Sequence, residues 1–559
     1  MACGILNRLV ANICFFWRVV VNPKPNPWQR SRAKSRLKSR LADQQVAGPG
    51  QLRAQLQTLQ QTSSNGQTPE HAARPSEEAQ SSSSTFSWTQ QWYPLAVVAD
   101  LDPSRPHAMM LLGKELVLWR DNQQQWRCFE DMCPHRKVPL SEGRIEPSDG
   151  SLMCGYHGWR FDGSGKAVSI PTVAKVHPQA EAQACASCKA AANAYPAQVR
   201  QGLLWVWAES GSQAVEDSKQ REPAINPLYE RVPEDKWTYG FAQYVRDLPG
   251  GFDCWIENMT DQSHVAFAHH GVAGNRDGEH TGYLKMLHIT NQPEPQDGIQ
   301  FDFEWSGGQR APAKTTFTFT PPAYCEFAVA TGRFQLWIYA VPVSADCTRL
   351  IINAGGNFGD KLPAMARFLS KVRPRWMGHL TLNAVNDGDI VFMHKQSSHN
   401  RLVASQHDGR IDWAKHYHTP SEADGGPMLF RRWLDTKGGG GPQYEGALQT
   451  GLGIPNVGVA QKMQPHQRRL LLDRLGQHTQ QCASCTKALQ QVQMAIKASG
   501  GVAAAAVPAL AAVLARGVAP LSPVPIVLTL AAVVAAVCCV QLRKLERSFV
   551  FTDWHNCEQ

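Results

Sequence analysis

The sequence predicts an α+β fold: a small all-β unit, a larger unit in which strands precede a long helix, and an apolar helical hairpin near the C-terminus. Three observations predict it. Short apolar and aromatic runs such as Leu116–Trp119 and Leu203–Trp207 are separated by Gly- and Pro-marked turns from Phe86 onward. Longer strand-like runs at 301–305, 315–319, 334–339 and 350–353 come before a helical stretch, the order of an α+β unit. Two apolar segments, Ala503–Leu514 and Gly517–Val540, lie close to the end, and the second is long enough to span a bilayer. A chain of 559 residues with 43% hydrophobic content can bury more than one core.

The N-terminus is basic before it is anything else. Nine Lys and Arg residues from Arg8 to Arg40 precede the first acidic residue, Asp43, and they carry much of the net +9. An Arg- and Ser-rich, acid-poor start predicts an organelle transit peptide over residues 1–45. Nucleic-acid binding is the competing reading of a basic arm, but no folded basic domain follows, and we expect no nucleic-acid partner. The next stretch, 46–85, is rich in Gln and Ser, too polar to bury a core, and reads as a disordered linker.

The all-β unit, 86–215, carries the most informative motif. Cys133-Pro-His135 is followed after eighteen residues by Cys154-Gly-Tyr-His157-Gly-Trp159, each pair in a loop after a strand-like stretch. Two cysteines and two histidines at that spacing suit a Rieske [2Fe–2S] cluster, in which imidazoles replace two thiolates and raise the potential. A structural Cys2His2 zinc site is the plainer alternative, but such sites pair cysteine with cysteine and histidine with histidine in sequence. Cys185 and Cys188 form a further C-x2-C in this unit, read as structural or incidental.

The larger unit, 216–455, opens with Asp261-Gln-Ser-His264 and, five residues later, His269. Two neutral imidazoles and a carboxylate leave facial positions open on ferrous iron, as oxygen activation requires. Residues five apart do not share a helix face, so both histidines can bind one ion only if the helix bends or ends between them. His270 is the neighbouring alternative. Far along the chain, Asn386-Asp387-Gly388-Asp389 offers two further carboxylates, Asp387 and Asp389, either of which could be a third ligand. Leu362, Met365, Phe368, Leu369, Val372 and Trp376 recur at helical spacing and read as core.

The closing parts are a segment at 456–497 holding Cys482-Ala-Ser-Cys485, a transmembrane hairpin at 498–540 and a tail at 541–559. The C-x2-C could cycle between dithiol and disulfide, or form half of a zinc site. Pro508 weakens the first apolar segment, which leaves a single anchor as the alternative to a hairpin. The hairpin explains the charges better, since Lys487 and Lys497 before it and Arg543, Lys544 and Arg547 after it would share one membrane face. Fifteen cysteines beside a cluster that needs thiolates argue against a secreted disulfide scaffold.

These motifs, in this order, with Trp92-Tyr93-Pro94, Arg246-Asp-Leu-Pro249 and the closing Leu545-Glu-Arg-Ser-Phe549, resemble the pheophorbide a oxygenase family of plant and algal Rieske oxygenases. The resemblance implies an α+β helix-grip (START-like) catalytic domain after the small Rieske domain. It implies that Cys133 and Cys154 bind the inner iron, that His135 and His157 bind the outer one, and that Tyr156 and Trp159 shield the cluster. It makes His264, His269 and Asp389 the ligands of a mononuclear non-haem iron, and gives Asp261 a bridging, catalytic role toward a cluster histidine of the neighbouring subunit in a homotrimer.

The same resemblance implies O2 and a tetrapyrrole as substrates, reduced ferredoxin as donor, and a chloroplast membrane, thylakoid or inner envelope, with the iron domains in the stroma. Ring opening of pheophorbide a is the expected reaction. A tetrapyrrole or phyllobilin hydroxylase and a protochlorophyllide oxygenase of the same family are alternatives. So is a membrane-anchored redox sensor beside a translocon, with thioredoxin acting at Cys482 and Cys485. Gly250-Gly251 and Cys254-Trp255 depart from the family pattern close to the expected pocket.

Overall fold

The computed structural model describes residues 85–555, apart from 233–236, 278–282, 291, 293, 307–312, 331–333, 358–367, 369, 371 and 446–462. The expected transit peptide and all but the last residue of the expected linker lie outside the described residues, as do Leu362, Met365 and Leu369.

The first unit consists of three small antiparallel sheets. One pairs Trp92–Val97 and Ala197–Arg200 with the fully buried strand Leu203–Trp207. Another runs through His107–Leu111, Lys114–Arg120, Trp126–Glu130 and Ala194–Tyr195. The last is built from two- and three-residue strands, Arg144–Ile145, Leu152–Met153, Arg160–Phe161 and Ala167–Ser169. Alternating apolar side chains such as Val117, Trp119, Phe129, Leu152 and Phe161 meet in one core that also holds Cys133 and Cys154. Cys185 is buried at the end of the helix Pro178–Cys185, whereas Cys188 is exposed, and both are free thiols.

The second unit is a seven-stranded antiparallel sheet. Its first strand, Trp237–Pro249, pairs with its last, Cys347–Asn357, and the others follow as a meander back to Tyr283–Thr290. Between the first two strands in sequence lie the helices Phe252–Thr260 and Val265–Ala268. The helix Arg375–Gln406 packs on the sheet, contributing Leu382, Ile390 and Met393 to a core shared with Phe301, Phe317, Ile338 and Leu350, so the sheet grips the helix.

The period-two alternation of strands divides this sheet between two cores. On Phe334–Ser344, Ile338 and Ala340 face the long helix, while Trp337, Tyr339 and Val341 join Trp92, Tyr93 and Trp205 of the first unit. The sheet is therefore a common wall.

The expected core helix before Asp387 takes a different form. Phe368 and Val372 are helical, as their spacing implies, but exposed rather than core, and the long helix begins separately at Arg375, after Pro374. Asp387 and Asp389 sit in its middle.

At the C-terminus, one helix runs Ala483–Ala515 and a second, Pro523–Val550, returns alongside it. The first crosses the expected boundary at residue 497 without a break. Both are long and apolar enough to cross a membrane. Their middle portions expose Val507, Leu514, Val527, Leu530, Val533 and Val537, while Cys485, Leu489, Val492 and Phe549 are buried at the end nearest the sheet. Both flanking groups of basic residues thus lie at the end of the hairpin that meets the protein.

Candidate active site

The two cluster loops have the same closure. In the first, Cys133 N donates to Val138 O at 2.8 Å and Lys137 N to Cys133 O at 2.9 Å. In the second, Cys154 N donates to Trp159 O at 2.8 Å and Gly158 N to Cys154 O at 3.1 Å. The fifth residue of each loop has positive φ, +60° at Lys137 and +71° at Gly158. Such a turn puts the cysteine at its base and the histidine, two residues on in the first loop and three in the second, at its tip.

The outcome is a pair of buried thiols beneath a pair of imidazoles near the surface. Cys133 and Cys154 are buried, His135 is exposed and His157 is half-buried. The two rings stand 4.7 Å apart. Trp159 stacks on His135 at 4.7 Å and 7°, so it covers the site as expected. Tyr156 touches His157 but stands 61% exposed, a weaker shield than expected. Burial pushes the Cys133 thiol up to about 11, and the backbone N–H groups of His135 and Arg136 partly offset this by donating to the sulfur. Two sulfurs inside and two imidazoles outside fit a cluster with one thiolate-bound and one imidazole-bound iron.

The second site forms where the short helices meet the long one. Helix Phe252–Thr260 ends at Asp261, whose extended backbone (φ −98°, ψ 102°) turns the chain. Asp261 Oδ1 then accepts from Ser263 N at 2.7 Å and Ser263 Oγ at 2.5 Å, closing a local Asx turn. His264 and His269 flank the single-turn helix Val265–Ala268 as its two caps. This break is what allows histidines five apart to converge, with ring centroids 5.1 Å apart.

Asp389 enters from the long helix. Its carboxylate oxygens lie 3.7 Å from His264 Nε2 and 3.3 Å from His269 Nε2. Ligand atoms bound at about 2.1 Å and at right angles would be separated by about 3 Å, so one ion fits this group after a small contraction. His264 Nδ1 donates to the Asp261 carbonyl, which leaves Nε2 unprotonated toward the site. The main chain of Asp261, rather than its carboxylate, therefore sets this tautomer. Burial lowers His269 to about 4, holding it neutral, the form that binds metal. Burial raises Asp389 to about 6, opposed by His264 and Asn258 and aided by Asp261.

Neighbours separate the alternatives. Asp387 points away: its oxygens meet Arg246 Nη1 at 2.8 Å and Arg474 Nη2 at 2.6 Å, with all three side chains buried. His270 accepts from Arg276 N at 3.1 Å and faces Asp277, outside the group. Gly388 lets the helix come close, since a Cβ there would fall 2.5 Å from Ala268 O and 2.9 Å from His269 Nδ1. A second buried network lies beside the site, where Arg431 joins Asp253 and Glu257, each at 2.5 Å, beneath the Trp413 ring. Sequence reading missed both arginine networks; a run of polar residues inside a helix expected to be core was the available signal.

Cys482 and Cys485 are buried free thiols. They adjoin His478, four residues before Cys482 in sequence, and His379, which sequence reading did not single out.

An all-β unit with paired Cys/His loops, joined to a sheet-and-helix unit with a two-histidine, one-carboxylate group, defines a Rieske non-haem iron oxygenase. The family model for a Rieske [2Fe-2S] domain matches residues 91–183, and that for pheophorbide a oxygenase matches 310–406. The chain is 34% identical to the chloroplastic pheophorbide a oxygenase of Arabidopsis thaliana over 85% of either chain. It is 31% identical to a flavonoid 8-hydroxylase of Ocimum basilicum over 76% of this chain and 79% of that one. It is 28% identical to the protochlorophyllide-dependent translocon component 52 of Arabidopsis thaliana over 73% and 74% of the two chains. The chain belongs to the pheophorbide a oxygenase family. As a member it uses a Rieske cluster and a mononuclear iron, and takes a substrate, O2 and an electron donor. Chloroplastic relatives and the two apolar helices associate it with a chloroplast membrane.

Proposed function

We propose that this protein is a ferredoxin-dependent oxygenase of chlorophyll breakdown that opens the macrocycle of pheophorbide a. The observation that carries the reading is the convergence of His264, His269 and Asp389 in a chain that also bears the Cys/His loops. The substrate follows from the relative at 34% identity, whose name states that activity.

In this reading Cys133 and Cys154 hold the inner iron, His135 and His157 the outer one, and His264, His269 and Asp389 the mononuclear ion. When bound, these groups supply single electrons and oxygen activation. The protein's own residues do the rest. Exposed His135 faces the donor, reduced ferredoxin, while the buried thiols keep water from the inner side. The Asp261 carbonyl fixes His264, and burial keeps His269 neutral. The partly buried Asp261 carboxylate reaches toward a cluster histidine of a neighbouring subunit in a homotrimer. The hairpin anchors the iron domains on the stromal face of a thylakoid or envelope membrane, near a substrate that partitions into lipid. Regulation by thioredoxin at Cys482 and Cys485 is disfavoured by the burial of both thiols.

The test is turnover of the full chain with reduced ferredoxin, pheophorbide a and isotopically labelled O2, read by mass spectrometry. A labelled ring-opened product supports the proposal. A labelled hydroxylated bilin, with no product from pheophorbide a, selects the alternative reading as a phyllobilin hydroxylase of the same family. Absence of product from every tetrapyrrole overturns both. Asp261→Asn should retain both metals and lose turnover; normal turnover removes the bridging role.

A further inference from the structure

Outside the two iron sites, His379, His478, Cys482 and Cys485 converge so that their ligand atoms all lie within 4.8 Å of one another. His379 Nδ1 is 3.5 Å from Cys482 Sγ and 3.4 Å from Cys485 Sγ, and His478 Nε2 is 3.2 Å from Cys485 Sγ. All four residues are at most 2% exposed. We propose that this group is a structural zinc site, independent of the iron chemistry.

The separations decide the nuclearity. Ligands at about 2.3 Å for sulfur and about 2.05 Å for nitrogen on a tetrahedral ion are about 3.6 Å apart, close to the three distances found here. A two-iron cluster would need its thiolate pair and imidazole pair set farther apart, on different metals. Two thiolates and two imidazoles in a closed tetrahedral set select zinc over the harder divalent ions.

Outer contacts prepare the ligands. His478 Nδ1 faces the Val245 carbonyl at 2.5 Å; a carbonyl only accepts, so Nδ1 carries the proton and Nε2 offers its lone pair to the group. The rings of His379 and His478 are 5.0 Å apart, and Tyr244 packs against both. Binding would displace one proton from each thiol to solvent, and two thiolates would balance the charge of the ion, leaving a neutral unit suited to burial.

Three of the four residues lie in one short stretch, 478–485, and the fourth comes from a helix about a hundred residues earlier. His379 lies in the second turn of Arg375–Gln406, His478 follows the turn that presents Arg474 to Asp387, and Cys482 caps the helix that runs into the apolar hairpin. Arg375 and Ala483 N both bond Asp100 beside the site. Zinc here would staple the base of the hairpin to the helix bearing Asp389, about 15 Å along that helix at 1.5 Å per residue.

Metal analysis of the full chain purified in detergent tests this. One zinc per chain is expected beyond the iron, lost in Cys482→Ser/Cys485→Ser while the cluster's visible and EPR spectra persist. Asp389→Ala should keep the zinc, and His379→Cys should retain it in a three-thiolate site, which guards against mistaking misfolding for lost ligands. Cobalt loaded in place of zinc should give thiolate charge-transfer absorption, reduced by about half in either single Cys→Ser variant. Zinc absent from the wild type, or retained by the double variant, overturns the proposal. So does labelling of Cys482 and Cys485 by a thiol reagent in the native protein as fast as exposed Cys188.

Discussion

The cluster loops and the mononuclear site are assembled in opposite ways. Each loop is local: a cysteine and a histidine two or three residues apart, set by two backbone hydrogen bonds within six residues. The other site draws its third ligand from a helix more than a hundred residues downstream, and buried charges beside it fix the position of that helix. Local turns make a site robust to changes elsewhere, whereas a helix-borne ligand depends on whatever holds the helix. Variants of the two regions should therefore differ in both size and reach.

The largest effect is expected at Asp387. Replacing it with alanine leaves Arg246 and Arg474 buried without their shared carboxylate, and breaking a buried pair in this way costs about 3–5 kcal/mol. Denaturant unfolding measures this; a loss under about 1 kcal/mol would mean that the network does not hold the helix. Gly388→Ala comes next. Its Cβ would strike the Ala268 carbonyl and His269, so the helix must retreat at about 1–3 kcal/mol, and bound mononuclear iron should fall while the cluster spectrum stays unchanged. A matching loss of the cluster would erase the distinction between the regions.

A titration sharpens the comparison further. The Asp389 carboxyl titrates at about 6 in the iron-free protein, above its unfolded value, because burial disfavours the charged form. The stability this shift provides is complete below the unfolded value and is lost as pH rises through about 6. Ferrous iron must displace that proton below pH 6, so its apparent affinity should drop about tenfold per unit there. Isothermal titration across pH 5 to 8 checks it, and a flat profile would contradict the burial of Asp389. The smallest effect belongs to the loops. Gly158→Ala puts a Cβ into the positive-φ position at about 1 kcal/mol, whereas Lys137→Gly at the matching position trades strain for chain entropy and should change stability by less than about 0.5 kcal/mol. Thermal melts of the two variants separate these outcomes.

The same contrast explains what could be read from the residues alone. Cys133, His135, Cys154 and His157 declare themselves because their geometry is their spacing. The strands at 301–305 and 334–339 were legible from alternation, since each has a face toward apolar neighbours. The helix Arg375–Gln406 was not: Asn383, Asn386, Asp387, Asp389, His394 and Asn400 are buried along it, so its inward face lacks the apolar period that marks a core helix. The apolar spacing just before it does fall on helical residues, but Phe368 and Val372 there are exposed rather than core. Resemblance located Asp389; only the fold gives Asp387 its two arginines and brings His379 to His478 and the C-x2-C.

The strand Phe334–Ser344 has a bearing on how this protein can be taken apart. Trp337, Tyr339 and Val341 complete the hydrophobic interior of the cluster unit although they belong to the next unit in sequence. Excising residues 86–215 to obtain a small soluble electron carrier would strip Trp92, Tyr93 and Trp205 of that cover. The fragment would carry an adhesive aromatic face and self-associate, so the cut that sequence suggests is one the packing forbids.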